Sequence, residues 1–258
     1  MQREEIYAAL PGALLPWYAS HARDLPWRRD REPYHVWLSE IMLQQTRVEA
    51  ARGYYLRFLD AFPTLRDLAA ADEARLLKLW EGLGYYSRAR NLQKAARVLC
   101  DEYGGVFPDT REALEGLPGV GPYTAGAVAS ICFERPCAAV DGNVLRVLSR
   151  LTADGVPVDL PATRADIAAR LEAVYPAGAC GAFTQALMEL GATVCGPNRK
   201  PECGSCPCRK ICLGYQRGTA EDLPVKSPKR ERRQEDRTVF ILQCDGKYAL
   251  EKRPGKGL

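Results

Sequence analysis

The chain has 258 residues, 47% of them hydrophobic and 26% charged, which is near the globular average and excludes a wholly disordered or collagen-like chain. At roughly 150 residues per domain, this length predicts one large or two modest domains. The net charge of +4 is unevenly placed, since residues 199–258 hold 15 Lys and Arg against 8 Asp and Glu, which leaves 21 against 24 in residues 1–198. A surface that faces a polyanion and a solvated basic linker both account for this basic C-terminal part.

The N-terminus lacks the features of a targeting segment. It carries acids at Glu4 and Glu5 and prolines at Pro11 and Pro16, which is typical of neither a signal peptide nor a transit peptide. No uncharged apolar run approaches the roughly 20 residues that a membrane span needs. We therefore expect a soluble, cytoplasmic protein. Only two histidines are present, which leaves little material for a histidine-rich metal site or a Ser-His-Asp triad.

Apolar residues recur at helical spacing from about residue 34 to 215, whereas alternating strand patterns are scarce. The fold class predicted for this body is all-α, with roughly ten short helices. Asp72, Ser87 and Thr110 are predicted N-caps, and the pair at 104–105 (Gly-Gly) is a predicted helix end.

The character of the chain changes towards the C-terminus. Residues 218–236 are polar and basic and are predicted to form a linker. A β-rich run at 238–242, a turn signal at Asp245-Gly246 and a return at 248–250 predict a β-hairpin. Because a two-stranded hairpin is not stable alone, residues 237–258 are interpreted as the start of a further, truncated domain.

The string LPGVGPYTAG at 117–126 predicts a helix, a hairpin and a second helix. Gly119 and Gly121 allow positive φ and remove side chains, so that backbone N–H groups around Val120 can approach an anion. Pro122 suits the first position of the second helix, whose N-terminal dipole favours a phosphate. A simple tight turn would need only one glycine.

Four cysteines, Cys195, Cys203, Cys206 and Cys212, fall in the pattern C-x7-C-x2-C-x5-C within one loop. Four thiolates without a histidine fit either tetrahedral zinc or a 4Fe-4S cluster. Cys208 is a fifth thiol in the same loop and can replace a neighbour as ligand. The other five cysteines are expected to be small buried hydrophobes: Cys100, Cys132, Cys137, Cys180 and Cys244.

Two carboxylates stand in unusual settings. Glu40 lies in a mostly apolar helical stretch, where desolvation would favour its protonated form and make it a general acid at neutral pH; the alternative is an exposed helical glutamate. Asp141 precedes a helical run, and its simplest role is that of an N-cap. An N-cap carboxylate at a helix mouth is also placed to stay ionised and to stabilise a developing cation.

Six segments together resemble the helix-hairpin-helix, endonuclease III-like superfamily of DNA glycosylases, and within it the adenine DNA glycosylases. They are LPWR (25–28), PYHVWLSEIMLQQTRVE (33–49), WEGLGYYSRARNL (80–92), LPGVGPYTAGA (117–127), VDGNVLRVLSR (140–150) and FTQALMELGATVC (183–195).

The resemblance implies a two-module fold. A six-helix barrel would occupy residues 29–136, and an iron-sulfur cluster module would combine 1–28 with 137–217. The resemblance also implies that the four cysteines hold a 4Fe-4S cluster, although the first gap has seven residues where the family has six, which leaves the choice between Cys206 and Cys208 open. Residues 237–258 would begin a truncated Nudix-like domain, and its loss would weaken discrimination for 8-oxoguanine.

The resemblance further implies removal of adenine mispaired with 8-oxoguanine or guanine in double-stranded DNA. Glu40 would protonate the base, Asp141 would stabilise the sugar cation, and Tyr123 and Asn143 would support the aspartate. The residues implied to bind substrate or DNA are Arg28, Gln45, Thr46, Tyr85, Gly119, Val120, Gly121 and Gln185.

Tyr123 stands where bifunctional relatives carry a lysine that attacks the sugar, so the resemblance implies a monofunctional enzyme. It would act as a monomer in the cytoplasm, associated with the nucleoid through DNA and not with a membrane. The alternative is a catalytically silent DNA-binding module, which explains the hairpin and the basic loop but not the two acids.

Overall fold

The computed structural model describes residues 2–197, 200–228, 234–236, 238 and 240–249. The chain divides into two compact units, Met1–Ser227 and Pro228–Leu258. The described residues of the first unit are helical apart from their connections, which confirms the all-α prediction for the body. None of the helices described has the length and apolar character needed to cross a membrane.

The first unit contains these helices in its described residues: α1 Arg3–His21, α2 Pro33–Leu43, α3 Val48–Ala61, α4 Leu65–Ala70, α5 Glu73–Trp80, α6 Ser87–Glu102, α7 Arg111–Glu115, α8 Pro122–Phe133, α9 Gly142–Thr152, α10 Pro161–Glu172, α11 Cys180–Thr193 and α12 Leu213–Gln216. Short 3₁₀ turns occupy Pro26–Arg28 and Arg209–Ile211.

Local signals explain most helix ends. The side chains of Asp72 and Thr110 accept hydrogen bonds from the amides three residues on, so both predicted N-caps are confirmed. The glycines at 104–105 follow α6 with φ of 64° and 88°, which confirms the predicted helix end. The N-cap prediction at Ser87 is wrong, because Tyr86 already has helical backbone angles and Ser87 becomes the first residue of α6.

Helix α1 continues through Pro11 and Pro16, although sequence periodicity placed the helical body only after residue 34. Its buried face consists of Ile6, Tyr7, Leu10 and Leu14. This face packs against α9, α10 and α11, so tertiary burial stabilises a helix that two prolines disfavour.

Two hydrophobic cores hold the first unit together. One is built from α2 to α8 around large buried side chains such as Trp37, Phe58 and Trp80. The other joins α1 to α9, α10 and α11 around Leu148 and Phe183. Helix α8 packs against both α2 and α11, and this contact brings the carboxyl end of α2 near the start of α9.

The second unit contains one short antiparallel hairpin in its described residues, with β1 Gln243–Cys244 paired to β2 Lys247–Tyr248. The turn is at Asp245-Gly246, as predicted, with φ of 48° and 71°. The predicted strand at 238–242 is wrong for residues 240–242, which are exposed and precede β1, because no second layer covers them within the described residues. Residues 237, 239 and 250–258 of the predicted domain lie outside the described residues.

Candidate active site

A pocket of about 660 Å³ opens between the two cores of the first unit. Residues from α2, α8, α9 and α11 line it, together with the segment at 23–28. Its size suits a ligand as large as a nucleobase with part of its sugar. Eight of the residues selected from sequence line it: Arg28, Glu40, Gln45, Thr46, Tyr123, Asp141, Asn143 and Gln185.

Glu40 lies in the last turn of α2 and its residue is only 7% exposed, so the alternative of an exposed helical glutamate is wrong. The hydroxyl of Tyr123 donates a hydrogen bond to Glu40 Oε2 at 2.6 Å. Burial raises the pKa of Glu40 to about 7, with the Tyr123 hydrogen bond working against the shift and the nearby Asp141 adding to it. A carboxyl with this pKa can donate a proton at neutral pH.

Asp141 is the N-cap of α9, as its sequence context predicts. Its Oδ1 accepts from the Val144 amide at 2.8 Å, and its Oδ2 accepts from Asn143 Nδ2 at 2.7 Å. Burial raises the pKa of Asp141, while these two hydrogen bonds lower it. From sequence we expected the N-cap position to keep this carboxylate ionised, but this expectation did not take into account that burial raises the pKa of Asp141. The other expected support, Tyr123, donates its hydrogen bond to Glu40 instead of the aspartate.

A buried ionic cluster on the pocket wall was missed by the sequence analysis. Glu189 of α11 is fully buried and accepts from Arg23 Nε at 2.6 Å and from Arg28 Nη2 at 2.8 Å. Burial raises the pKa of Glu189, but the hydrogen bonds from both arginines outweigh it and lower the pKa overall. Glu189 could have been predicted from sequence, because it is an acid in a mostly apolar helix, as Glu40 is.

A second missed residue, Tyr18 of α1, fixes two residues of the pocket. Its hydroxyl donates to Gln185 Oε1 at 2.7 Å, and its ring lies under the Arg28 guanidinium at 5.7 Å from the centroid. No pattern in the sequence connects Tyr18 to Gln185, which lies 167 residues further along the chain.

The residues expected to enter a DNA duplex lie on two turns. Gln45 and Thr46 follow α2 and line the pocket, and Gln45 has a left-handed backbone with φ of 59°. Tyr85 precedes α6, is 64% exposed and also has a left-handed backbone with φ of 47°. Tyr85 is not among the described residues that line the pocket.

The hairpin between α7 and α8 only partly matches its predicted geometry. Gly119 has φ of 77°, and a Cβ there would approach Asn91 Cβ to 2.7 Å, so this position requires glycine. Gly121 is the N-cap of α8 with φ of −106°, so the expectation of positive φ is wrong there. The Val120 amide donates to Leu117 O within the hairpin at 3.1 Å, so it is already used in a hydrogen bond. The amides that can donate to a phosphate are therefore those of the first turn of α8, which have no acceptor within the helix.

The four cysteines of the loop, Cys195, Cys203, Cys206 and Cys212, line one small apolar pocket beside α9 and α11. Arg150 Nη1 lies 3.3 Å from Cys195 Sγ, and the Tyr215 amide donates to Cys212 Sγ at 3.4 Å. Soft thiolates around a common space, with a cation beside them, are a donor set that fits an iron-sulfur cluster.

Cys208 is fully buried in the second core and is not among the described residues that line the cysteine pocket. Within the described residues, no group of three or more His, Cys, Asp or Glu side chains converges as a single metal ion would require.

Sequence comparison assigns the chain to a known family. Residues 38–157 match the model of the HhH-GPD superfamily base excision DNA repair protein. The adenine DNA glycosylase of Homo sapiens is 46% identical over 224 residues, which cover 83% of this chain and 41% of that protein. The adenine DNA glycosylase of Buchnera aphidicola subsp. Baizongia pistaciae is 35% identical over 247 residues, covering 95% and 70%. The chain thus spans less than half the length of its human relative.

Solved structures show the same architecture. A thermostable thymine-DNA glycosylase superposes with a TM-score of 0.74 at 31% identity, covering 83% of this chain and 98% of the other. An endonuclease III from a non-covalent complex with DNA superposes with a TM-score of 0.69 at 25% identity, covering 84% and 98%. The chain therefore belongs to the HhH-GPD superfamily of base excision DNA repair proteins, in the family of the adenine DNA glycosylases.

Proposed function

We propose that the protein is a monofunctional glycosylase that removes adenine mispaired with 8-oxoguanine or guanine in double-stranded DNA and leaves an abasic site. The observation that carries the proposal is that the buried Glu40 and the partly buried Asp141 line one pocket, where the pKa of Glu40 is raised to about 7. The names of the curated relatives support the choice of adenine.

The reaction begins with the adenine leaving the base stack, because the glycosidic bond is inaccessible inside a duplex. In this proposal Gln45, which lines the pocket, and Tyr85, which lies on an exposed turn, fill the space that the base vacates. The pocket of about 660 Å³ then receives the adenine between Arg28 and Gln185.

Proton transfer from Glu40 makes the adenine a neutral leaving group. Oε2 of Glu40 is occupied by the Tyr123 hydroxyl, so Oε1 carries the proton that passes to N7 of the base. The bond between the sugar and the base then breaks with both electrons going to the base. Positive charge develops on the sugar, and the Asp141 carboxylate stabilises it until water attacks.

The monofunctional assignment follows from the chemistry of Tyr123. A lysine amine at this position could form a Schiff base with the sugar and lead to strand cleavage, whereas a phenol cannot. Burial and the neighbouring carboxyls raise the pKa of Tyr123 well above its usual value, so the hydroxyl stays protonated as a donor to Glu40. Borohydride treatment during turnover should therefore trap no stoichiometric covalent complex.

The cysteine loop would hold a 4Fe-4S cluster through the four cysteines that line its pocket, with Cys208 remaining in the core. When bound, such a cluster fixes the loop and supplies a redox couple whose potential depends on its surroundings. Metal analysis of the purified protein distinguishes an iron-sulfur cluster from a zinc site, since a cluster gives about four irons per chain and a zinc site about one zinc. Cys203→Ser should lose the iron, and Cys208→Ala should retain it.

A single-turnover assay tests the activity, using duplexes that hold one adenine opposite 8-oxoguanine, guanine or thymine. Cleavage at the adenine only after alkali, and only opposite the two purines, is the expected result. Strand cleavage without alkali would overturn the monofunctional assignment. The ratio of the rates opposite 8-oxoguanine and guanine measures how far this chain discriminates for the lesion.

The Glu40→Gln variant separates catalysis from binding. We expect its excision rate to fall by about 100-fold or more while its affinity for the duplex persists. Tight binding without excision by the unmodified chain would instead favour the DNA-binding module, and unchanged turnover in the variant would remove Glu40 from the mechanism.

A further inference from the structure

Arg88, in the first turn of α6, joins two parts of the chain that are distant in sequence. Its guanidinium donates only to backbone carbonyls among the described contacts. Nη1 donates to Ile41 O at 2.8 Å, Met42 O at 3.1 Å and Gln44 O at 2.7 Å, and Nη2 donates to Leu83 O at 3.0 Å and Gly84 O at 3.3 Å.

Two of these carbonyls belong to the peptide groups that set unusual backbone angles. The carbonyl of Gln44 lies in the peptide plane that fixes φ of Gln45, and the carbonyl of Gly84 lies in the plane that fixes φ of Tyr85. Both following residues are left-handed although neither is glycine, with φ of 59° and 47°. Such conformations persist only where the surroundings hold them.

The contacts of Arg88 require a guanidinium, not merely a positive charge. Its planar fork reaches both turns at once, and its face lies over the rings of Trp80 at 5.3 Å and Tyr85 at 5.8 Å from the centroids. A lysine carries one compact ammonium and can serve only one of the two turns. The contact with Tyr85 also supports the exposed ring directly.

We propose that Arg88 is a positioning residue that holds Gln45 and Tyr85 in the conformation that enters the duplex, and so assists base extrusion without touching the substrate. This inference rests on the proposed function, in which these two side chains fill the space left by the adenine. Arg88 does not line the pocket, and none of its described hydrogen bonds is to Glu40 or Asp141, so this role is separate from that of the two acids.

The first test measures extrusion without chemistry. In the Glu40→Gln background, fluorescence of a 2-aminopurine placed opposite guanine rises when the base leaves the stack. We expect Arg88→Met to reduce this rise by at least about half. Arg97→Met is the matched control, because Arg97 lies on the same helix and donates to a carbonyl, Ala69 O at 3.0 Å, that belongs to neither turn. An undiminished rise in Arg88→Met would overturn the inference.

The second test asks whether Arg88 acts through the two side chains. We expect Arg88→Met to slow single-turnover excision by about 10- to 100-fold, since small misplacements of this kind have such effects. In a Gln45→Ala/Tyr85→Ala background the same change should cost less than about threefold, because the groups that it positions are already gone. An equal loss in both backgrounds would show that Arg88 contributes only to the fold.

Two controls keep the outcomes separate. Arg88→Lys keeps the charge and should lose most of the rate, and it replaces Arg88→Met if that variant fails to fold as judged by thermal unfolding and iron content. Excision by the unmodified chain, measured in parallel, tests the proposed function itself. A chain that extrudes 2-aminopurine but excises no adenine would refute the proposed function and leave the role of Arg88 intact.

Discussion

Glu40 and Glu189 show how partners decide the protonation of a buried acid. Both lie in apolar helices and both are nearly or fully buried. Glu40 faces a phenol and a second carboxyl, so burial dominates and its pKa is about 7. Glu189 faces two guanidinium groups, which lower its pKa in spite of burial. One acid is thereby suited to donate a proton, and the other remains a fixed negative charge.

The proton on Glu40 predicts the pH dependence of excision. In the proposed mechanism the protonated acid is the active form, so the single-turnover rate should fall as the pH rises through about 7. In Tyr123→Phe the hydrogen bond that lowers the pKa of Glu40 is lost, so the fall should move to higher pH. Rates measured between about pH 5 and pH 9 check both statements. An identical inflection in the two proteins would contradict the assigned hydrogen bond.

The same raised pKa means that Glu40 destabilises the folded state above neutral pH. A carboxyl whose folded-state pKa lies above its unfolded value of 4.5 favours folding at low pH and loses this contribution as the pH rises through about 7. The loss is at most about 3 kcal/mol. Glu40→Gln should therefore raise the melting temperature more at about pH 8 than at about pH 5.

Glu115→Gln is the matched control for this stability prediction, because Glu115 is exposed on α7. It should leave the melting temperature nearly unchanged at both pH values. A stabilisation by Glu40→Gln that is independent of pH would refute the explanation by ionisation.

Sequence alone could identify the acids but not their states. Glu40 and Asp141 were identified from their neighbours in sequence, an apolar helical stretch and the start of a helix. Glu189 also lies in an apolar helix but was not identified. The partners that set their pKa values are distant, since Tyr123 lies 83 residues from Glu40 and Arg23 lies 166 residues from Glu189. No local pattern reports such contacts, and the hydrogen bond of Tyr123 to Glu40 instead of Asp141 could be seen only in the folded chain.

At the scale of elements, helix starts and stops were predictable where one residue determines them. Asp72, Thr110 and the glycines at 104–105 act through their own side chain or backbone. Helix α1 was not predictable, because local propensity disfavours a helix with two interior prolines and only burial against α9, α10 and α11 stabilises it. The strand prediction failed at residues 240–242 for the opposite reason, since β propensity without a covering layer does not define a strand.

The hairpin provides a prediction with an internal control. Gly119→Ala would have to place a Cβ at positive φ and against Asn91, so it should lower both the melting temperature and the affinity for DNA. Gly121→Ala meets nothing within 4 Å and has an ordinary φ, so it should lower the melting temperature much less than Gly119→Ala, by no more than the small cost of a poorer N-cap.

The Gly121→Ala variant should nevertheless weaken duplex binding, because its methyl group stands where a phosphate must approach the start of α8. Fluorescence anisotropy at several salt concentrations measures the affinity of both variants and the number of phosphate contacts. Normal affinity in Gly121→Ala would exclude close approach of a phosphate at this hairpin.

At the scale of the whole molecule, Glu189 joins the N-terminal segment to α11. Replacing it by glutamine removes the negative charge between Arg23 and Arg28, and we expect a loss of about 1–3 kcal/mol in the free energy of unfolding, since both arginines keep some contact with solvent. Urea denaturation measures this loss. Glu73→Gln breaks an exposed pair with Arg90 and should cost less than about 1 kcal/mol. Equal losses in the two variants would mean that burial does not strengthen the Glu189 cluster.

The packing of α1 against α11 also governs the order in which a nascent chain can fold. Helix α1 packs against α9, α10 and α11, so the last of its partners is complete only when Thr193 has been made. The core around Trp37 and Phe58 can assemble earlier, since its residues lie before Phe133. Residues 23–28 and residues of α11 both line the pocket, so the pocket is complete only after α11 has been made and has packed.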